Sequence, residues 1–381
     1  MIKRKIILHN IWIIYIIFST IDKLKNSVTR KISGVKWNYN CILSGIFCLF
    51  LLYPLTVYST INPAYEPLKS KILKGIELTI NNQFDDAQKL YHSLIQEYPG
   101  HPLGYFYKGA ALQAKMLDAE DYSEKQIFYS LMKKAIDISD SLKKLGKEDT
   151  WINFYQGSAY LYCSFMKAKE GKWFSAYSDA RRGVKRLERA IAIDGNCYDA
   201  YLGIGSFKFW KSARAGFLLW LPIISDEREE GIEMVRQAIQ KGLFVYWIGR
   251  DQLSWILMNA GQKEEAFQIA LENYRNFPQS RFFKWTLVEM AYRNNEFDIC
   301  YPLYLDLLKA VRSLPGNNHY NELECLLKLA DIELKRKDWK KANRWVTEAL
   351  NLPLSPEIRK RAKKKLERLL KIKKQIDKQK N

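Results

Sequence analysis

The amino-acid sequence predicts an all-α protein in which helix hairpins stack into an array behind an apolar amino-terminal segment. A helix-pair pattern returns about every 34 residues, which is the spacing of arrays whose units cannot each bury a core alone. Apolar residues recur at three- and four-residue spacing from Pro67 onward, with turn residues between the runs. The clearest unit is residues 247–280, where the first helix turns at Gly261 and the second stops at Pro278.

The amino-terminal region is first basic and then apolar. Residues 1–40 carry eight Lys and Arg residues against one acid, and residues 41–59 follow with no charge between Lys36 and Glu66. That length is enough for a helix to cross the hydrocarbon core of a bilayer. We therefore expect a basic segment at 1–40 and a transmembrane or signal-anchor helix at 41–59. A shorter apolar stretch at 6–21 either crosses as well or lies in the interface.

The charge beside the apolar segment predicts its orientation. Basic residues at 23–36 directly precede it, and positive charge is retained on the cytoplasmic side. We expect the body after about residue 60 to lie on the extracytoplasmic, periplasmic side. Val57 and Ser59 have the small side chains of a signal-peptidase site. The segment therefore either remains as a membrane anchor or is cleaved, and the body is then exported.

Small residues recur within the helical body at 67–356. Helices that cross closely leave no room for long side chains, and glycine or alanine stands where such crossings are expected. On this pattern the chain resembles the tetratricopeptide repeat family, which implies a right-handed α-solenoid of stacked hairpins. The matching residues, unit by unit, are Gly75, Ala87, Tyr91 and Pro99; Gly109 and Ala135; Gly157, Gly183, Leu187 and Ala190; Gly205, Gly231, Val235 and Ala238; Gly261, Ala266, Ala270 and Pro278; Cys300 and Tyr304; and Ala330, Ala342, Val346 and Ala349.

Two units depart from this pattern. The second carries an insertion around residues 118–124, and the fourth is lengthened after Tyr198. The fourth unit contains an apolar cluster at 216–221, which is a candidate exposed patch for a partner or a membrane surface. The alternative is an extra helix that folds back and fills the concave side of the array. The large residues of the cluster are Phe217, Leu218, Trp220 and Leu221.

The resemblance also implies a binding groove, lined by exposed positions on the first helix of each unit. These positions are rich in aromatic residues, which suit an extended peptide or an apolar helix. They lack the Lys and Asn set with which the family clamps a free carboxyl terminus. The alternative is that most of these aromatics form core between helices. The candidate groove residues are Phe106, Phe154, Trp255, Trp285, Glu289 and Tyr292.

The sequence offers no constellation of reactive residues. Its four histidines fall in separate units, no two cysteines form a CxxC pair, and Gly203 and Gly205 lack the third glycine of a nucleotide-binding loop. We predict no catalytic, cofactor-binding or metal-binding residue, no cofactor and no enzymatic activity. Cysteines 163, 197, 300 and 325 are expected to be small buried residues, with a disulfide among them left open if the body is exported.

The carboxy-terminal residues 357–381 predict a basic capping helix. Twelve Lys and Arg residues stand against three acids, and Ile358, Leu366, Leu369 and Ile376 fall roughly on one side. The apolar stripe should cover the last repeat, as such arrays require. The basic face could contact anionic lipid or nucleic acid. Export argues against nucleic acid.

Together these features predict a non-catalytic scaffold of the cell envelope. The expected partner is another protein, bound as a peptide or helix in the concave face of the array, with membrane contact through the amino-terminal helix. The alternative is a lipid-interacting or transport accessory protein that uses the 216–221 cluster and the basic carboxy-terminal helix.

Overall fold

The computed structural model describes residues 61–214 and 225–380 of the chain. Within these ranges the chain is all-helical, with no strand. Its sixteen helices there are α1 Leu68–Ile80, α2 Phe84–Glu97, α3 Pro102–Ala119, α4 Lys125–Lys144, α5 Thr150–Lys169, α6 Trp173–Ile193, α7 Asp199–Arg214, α8 Arg228–Lys241, α9 Tyr246–Asn259, α10 Lys263–Asn276, α11 Arg281–Arg293, α12 Phe297–Arg312, α13 Tyr320–Lys335, α14 Trp339–Leu350, α15 Pro356–Arg361 and α16 Lys363–Lys380.

The first fourteen helices form seven consecutive antiparallel pairs, and each pair packs on the next to give a solenoid. The closest crossings use glycine, as the sequence pattern predicts. A Cβ atom added at Gly157 would lie 2.8 Å from the carbonyl oxygen of Gly183, and one at Gly205 would lie 2.6 Å from the carbonyl oxygen of Gly231. Because such distances are shorter than real Cβ contacts, no larger side chain fits there without a shift of the backbone.

Several helices begin at residues that cap them. The side chains of Asp149, Ser280 and Ser355 accept hydrogen bonds from the first-turn amides of α5, α11 and α15. These bonds satisfy donors that have no partner inside a helix. Pro102 and Pro356 occupy first helical positions, where a missing N–H costs nothing. The turn chemistry of the sequence therefore fixes where these hairpins start.

Units far apart in the sequence are joined by polar contacts. The guanidinium of Arg281, at the start of α11, donates to both carboxylate oxygens of Asp118 near the end of α3, at 2.6 and 3.0 Å. The backbone N–H of Arg281 also donates to the side chain of Asn82, 3.2 Å away, after α1. From the start of α13, Asn321 donates to the Asp118 carbonyl at 2.8 Å. We call this set the closing contacts, because it brings the second pair against the sixth and seventh.

The segment after α3 extends these contacts to the carboxy terminus. Asn318 donates to the carbonyl of Glu120 at 3.0 Å, and Arg361 of α15 donates to the same oxygen at 3.0 Å. The Arg361 guanidinium also lies 4.9 Å from the ring centroid of Tyr122. The insertion that interrupts the second unit of the sequence pattern is therefore the surface on which the end of the array rests.

The loop between α8 and α9 inserts a side chain into the amino-terminal half. Asp199 accepts hydrogen bonds from the backbone N–H groups of Leu243 and Phe244, at 2.8 and 2.7 Å. The Phe244 ring is thereby held edge-on to Trp151, at 5.6 Å between centroids, and to Tyr107, at 6.5 Å. Space beside the inner helices α3 and α5 is therefore occupied by the chain itself.

The final helix packs its apolar stripe on the last hairpin. Leu369, Ile372 and Ile376 are buried and belong to the same apolar cluster as α13 and α14. Leu370 is half exposed, and Lys363, Lys364, Lys371, Lys373, Lys374 and Lys378 of α16 are exposed. The apolar side of α16 therefore covers the apolar surface that the last hairpin would otherwise expose to water.

The expectations for residues 1–40, 6–21 and 41–59 lie outside the described residues, as does the 216–221 cluster. Among residues 61–214 and 225–380, no helix combines the length and apolar character needed to cross a membrane. In the fourth unit the described part of α7 reaches Arg214 and α8 begins at Arg228, and residues 215–224 of the lengthened part lie outside the described residues.

Candidate functional site

Phe106 and Phe154 are core residues and do not line an open groove. Each is about 5% exposed, and the two rings lie 6.5 Å apart in an edge-to-face arrangement. Tyr155 lies 5.6 Å from Phe106 and 5.3 Å from Phe154. The groove prediction is wrong for these two residues because other aromatic rings, those of Tyr155, Tyr162 and Trp151, pack against them. The alternative, core between helices, describes them.

Glu289, Tyr292 and Trp255 are brought together on the inner helices of the carboxy-terminal half. Glu289 accepts from Lys328 of α13 and from Arg293, both at 2.7 Å. The Arg293 guanidinium in turn lies 5.7 Å from the centroid of the Trp255 ring. Burial by itself would raise the pKa of Glu289, but the Lys328 and Arg293 charges outweigh it and the pKa is lowered.

Tyr292 is held between cations and a carboxylate. The Lys328 and Lys335 ammonium groups lie 4.0 and 4.3 Å from its ring centroid, and its hydroxyl donates to Asp331 at 2.8 Å. Arg368 of α16 donates to the other oxygen of Asp331 at 2.5 Å. Burial, followed by the hydrogen bond to Asp331, raises the pKa of Tyr292. The hydroxyl therefore stays protonated and acts as a donor.

These contacts form a continuous network across α9, α11, α13 and α16, which we call the inner band. Its members are Trp255, Glu289, Tyr292, Arg293, Lys328, Lys335, Asp331 and Arg368. The carboxylates of the band already accept from its own cations, so its main effect is to fix the inner helices relative to one another. The Trp285 side chain is half buried and packs against the apolar core of the carboxy-terminal half.

A buried carboxyl group lies beside the inner band. Asp251 of α9 accepts a hydrogen bond from the Thr286 hydroxyl at 2.6 Å, and the Trp255 indole N–H donates to that hydroxyl at 3.3 Å. Asp251 is 2% exposed. Burial raises the pKa of Asp251 to about 7, against the lowering effect of Thr286. The Thr286 hydrogen bond links this buried group on α9 to α11.

An apolar cleft lies between the first helix and the fifth pair, and we call it the seam cleft. It has a volume of about 470 Å³, and Leu73, Leu243 and Tyr246 on its walls are each more than a third exposed. The Trp247 and Phe277 rings meet edge to face at 4.9 Å beside it. The lining residues are Ser70, Leu73, Lys74, Ile76, Glu77, Leu243, Phe244, Tyr246, Trp247 and Phe277.

Sequence reasoning missed this cleft because its walls come from units more than 160 residues apart. The repeat pattern describes contacts between neighbouring units only. The sequence could have indicated the cleft only through single residues: Leu73 and Tyr246 are large residues on helix faces that the neighbouring hairpins do not cover. The predicted patch residues Phe217, Leu218, Trp220 and Leu221 lie outside the described residues.

Within the described residues, no group of three or more His, Cys, Asp or Glu side chains is placed to hold a metal ion. Cys163, Cys197, Cys300 and Cys325 are buried thiols without a disulfide. Burial raises the pKa of Cys163 and Cys197 to about 12 and that of Cys300 to about 11. These thiols are therefore protonated at neutral pH and behave as small apolar side chains.

No protein-family model matches the chain, and no curated protein matches it. The chain is similar in fold to a tetratricopeptide repeat protein of Thermus thermophilus, with 14% identity over 59% of this chain and 99% of that one, at a TM-score of 0.37. A second match is the carboxy-terminal part of a tetratricopeptide repeat protein of Cytophaga hutchinsonii, with 16% identity over 75% and 97% of the two chains and a TM-score of 0.38.

A third match is the Cut9–Hcn1 complex, with 15% identity, 75% of this chain covered, 47% of that one and a TM-score of 0.48. The chain thus spans about half the length of that structure's chain. The described residues themselves form an array of seven helix pairs with glycine at the close crossings.

Proposed function

We propose that this protein is a non-catalytic scaffold that binds a protein partner, and that an apolar segment of the partner docks in the seam cleft. The observation that carries the proposal is the cleft itself, with exposed Leu73, Leu243 and Tyr246 around about 470 Å³ of space. Helical repeat arrays generally act through such extended surfaces. A cleft of this volume accepts a few apolar side chains of a helix or extended peptide.

The composition of the cleft suits recognition by anchoring residues. Aromatic residues such as Tyr246 and Trp247 supply large contact areas at interfaces, and a few polar groups at the rim set orientation. Lys74 and Glu77 stand at that rim. The carboxylates of the inner band, by contrast, are already paired with its own cations. We therefore expect the partner at the seam cleft.

We further propose that the body acts in the cell envelope, on the extracytoplasmic side. This rests on the apolar run at 41–59 and the basic residues before it. A reporter enzyme that is active on only one side of the membrane, fused after Asn381 in the full chain, tests the location. Activity restricted to the cytoplasm would contradict it.

The partner is tested by photo-crosslinking in intact cells, with a photoreactive residue at Tyr246 of the full chain. We expect one reproducible protein adduct, lost when Leu73→Asp is added, because a carboxylate cannot be buried against an apolar segment without a large cost. The matched control is Ile193→Asp, since Ile193 is 41% exposed and Leu73 38%. An adduct that survives Leu73→Asp, or none at all, would exclude the seam cleft as the binding site.

A further inference from the structure

The start of α6 presents three large aromatic side chains to solvent. Trp173 is 58% exposed, Phe174 97% and Tyr177 52%. We call these three residues the aromatic patch. Leaving such rings in water forfeits the free energy that burying them would provide. A contiguous exposed apolar patch is a mark of a docking surface.

The patch is not a displaced part of the core. The inward face of α6 is already complete, with Ala176, Ala180 and Leu187 buried against neighbouring helices. On the outer side, Tyr177 stacks on Phe207 of α7 at 6.2 Å, and the guanidinium of Arg214 lies 5.5 Å from the Trp173 ring centroid. Trp173 and Tyr177 are thus contacted on one side and remain more than half exposed, while Phe174 is almost fully exposed.

Basic residues continue the same face of the helix. At 100° per residue, Arg181 and Lys185 fall within about 20° of Phe174 around α6. Both are exposed, and neither makes an ion pair with any described residue. Arg182 lies beside them, 4.0 Å from the buried Asp179, and Glu188 is the acid on this face. We call Arg181, Arg182 and Lys185 the basic stripe.

We propose that the aromatic patch and the basic stripe form a docking site for the surface of a bilayer that contains anionic phospholipid. Trp, Tyr and Phe favour the boundary between headgroups and acyl chains, and Arg and Lys attract anionic headgroups. Phe174 is 97% exposed, so a fluid bilayer can surround the ring. A protein partner would instead need a matching cavity. The site is separate from the seam cleft and does not depend on the partner proposed there.

The proposal is tested with the full chain reconstituted in phosphatidylcholine vesicles, with or without phosphatidylglycerol. A photoreactive phenylalanine analogue replaces Phe174, and crosslinks to lipid are counted by mass spectrometry. The matched control carries the analogue at Leu145, which is 68% exposed. Leu145 lies near the other end of the α5–α6 hairpin, where Glu148 pairs with Arg189.

We expect lipid adducts at Phe174 well above those at Leu145, and only in vesicles that contain phosphatidylglycerol. The double variant Arg181→Gln, Lys185→Gln should lower the yield by about fivefold for each charge lost. An unchanged circular dichroism spectrum shows that this variant is folded. Equal yields at Phe174 and Leu145 would overturn the proposal. So would adducts at Phe174 that join two copies of the chain and contain no lipid.

Discussion

At the scale of single residues, the buried carboxyl group of Asp251 links stability to pH. Its pKa is about 7 in the folded protein, against 3.8 for an ordinary aspartate, because burial disfavours the charged form. Between those values the folded chain holds a proton that the unfolded chain has released. Stability from this group is therefore lost as pH rises from about 4 to about 7. Well above pH 7, the folded protein bears the full free-energy cost of burying the ionised Asp251 carboxylate.

The substitution Asp251→Asn should remove this loss. The amide is uncharged and can still accept the hydrogen bond from Thr286. We expect the variant to be more stable than the parent above pH 7, by up to about 4 kcal/mol, with the difference vanishing near pH 4. Denaturant unfolding at a series of pH values measures it.

The control for this prediction is the same substitution at exposed Asp85. His101 acts in the opposite direction, because burial lowers its pKa to about 3 and stability falls as pH drops below 6.5. Comparing variant with parent at each pH cancels the histidine contribution. A gain from Asp251→Asn that is equal at pH 4 and pH 8 would contradict the assignment.

At the scale of elements, the helix hairpins could be predicted from the sequence, but the contacts between hairpins far apart in the chain could not. Glycine at 157, 183, 205 and 231 marks helix crossings because no Cβ fits there, and that constraint is local to each pair. Phe106 and Phe154 occupy family groove positions, yet they are core. Their neighbours Tyr107 and Trp151 are in turn contacted by Phe244, which comes from a loop more than 85 residues further along the chain. Periodicity carries no information about such a contact.

The loop that carries Phe244 should be a strong stabilising element. Phe244→Ala removes a ring that is about 5% exposed and leaves a cavity against Trp151 and Tyr107. Comparable truncations cost roughly 3–5 kcal/mol. We expect denaturant unfolding to show a loss of that size, and hydrogen exchange to show faster opening of α3 and α5.

The control for the loop is Leu243→Ala, because Leu243 is adjacent and more than a third exposed. It should cost far less than Phe244→Ala. Equal costs for the two substitutions would show that Phe244 does not support the amino-terminal half.

At the scale of the whole repeat array, the closing contacts join helix pairs that are far apart in the sequence. Arg281, at the start of α11, donates hydrogen bonds to Asp118 and Asn82. In the segment after α3, the carbonyl of Glu120 accepts hydrogen bonds from Asn318 and Arg361. The Asp118 side chain is 8% exposed, so its carboxylate depends on this pairing. These contacts join distant helix pairs directly, and the seam cleft likewise has walls from two distant pairs. The insertion at 118–124 was visible in the sequence, but its role depends on residues about 160 to 240 positions away.

The most direct test of the closed array is a distance measured across the seam cleft. Spin labels are placed at Lys74 and Tyr246, which line opposite walls of the cleft. Pulsed electron paramagnetic resonance on the full chain then measures the distance between the two labels. We expect one short, narrow distance distribution in the parent protein, and a longer, broader one in Arg281→Ala, which removes the pairing with Asp118. A broad or long distribution in the parent protein would contradict the closed array, and with it the seam cleft as the site of partner binding.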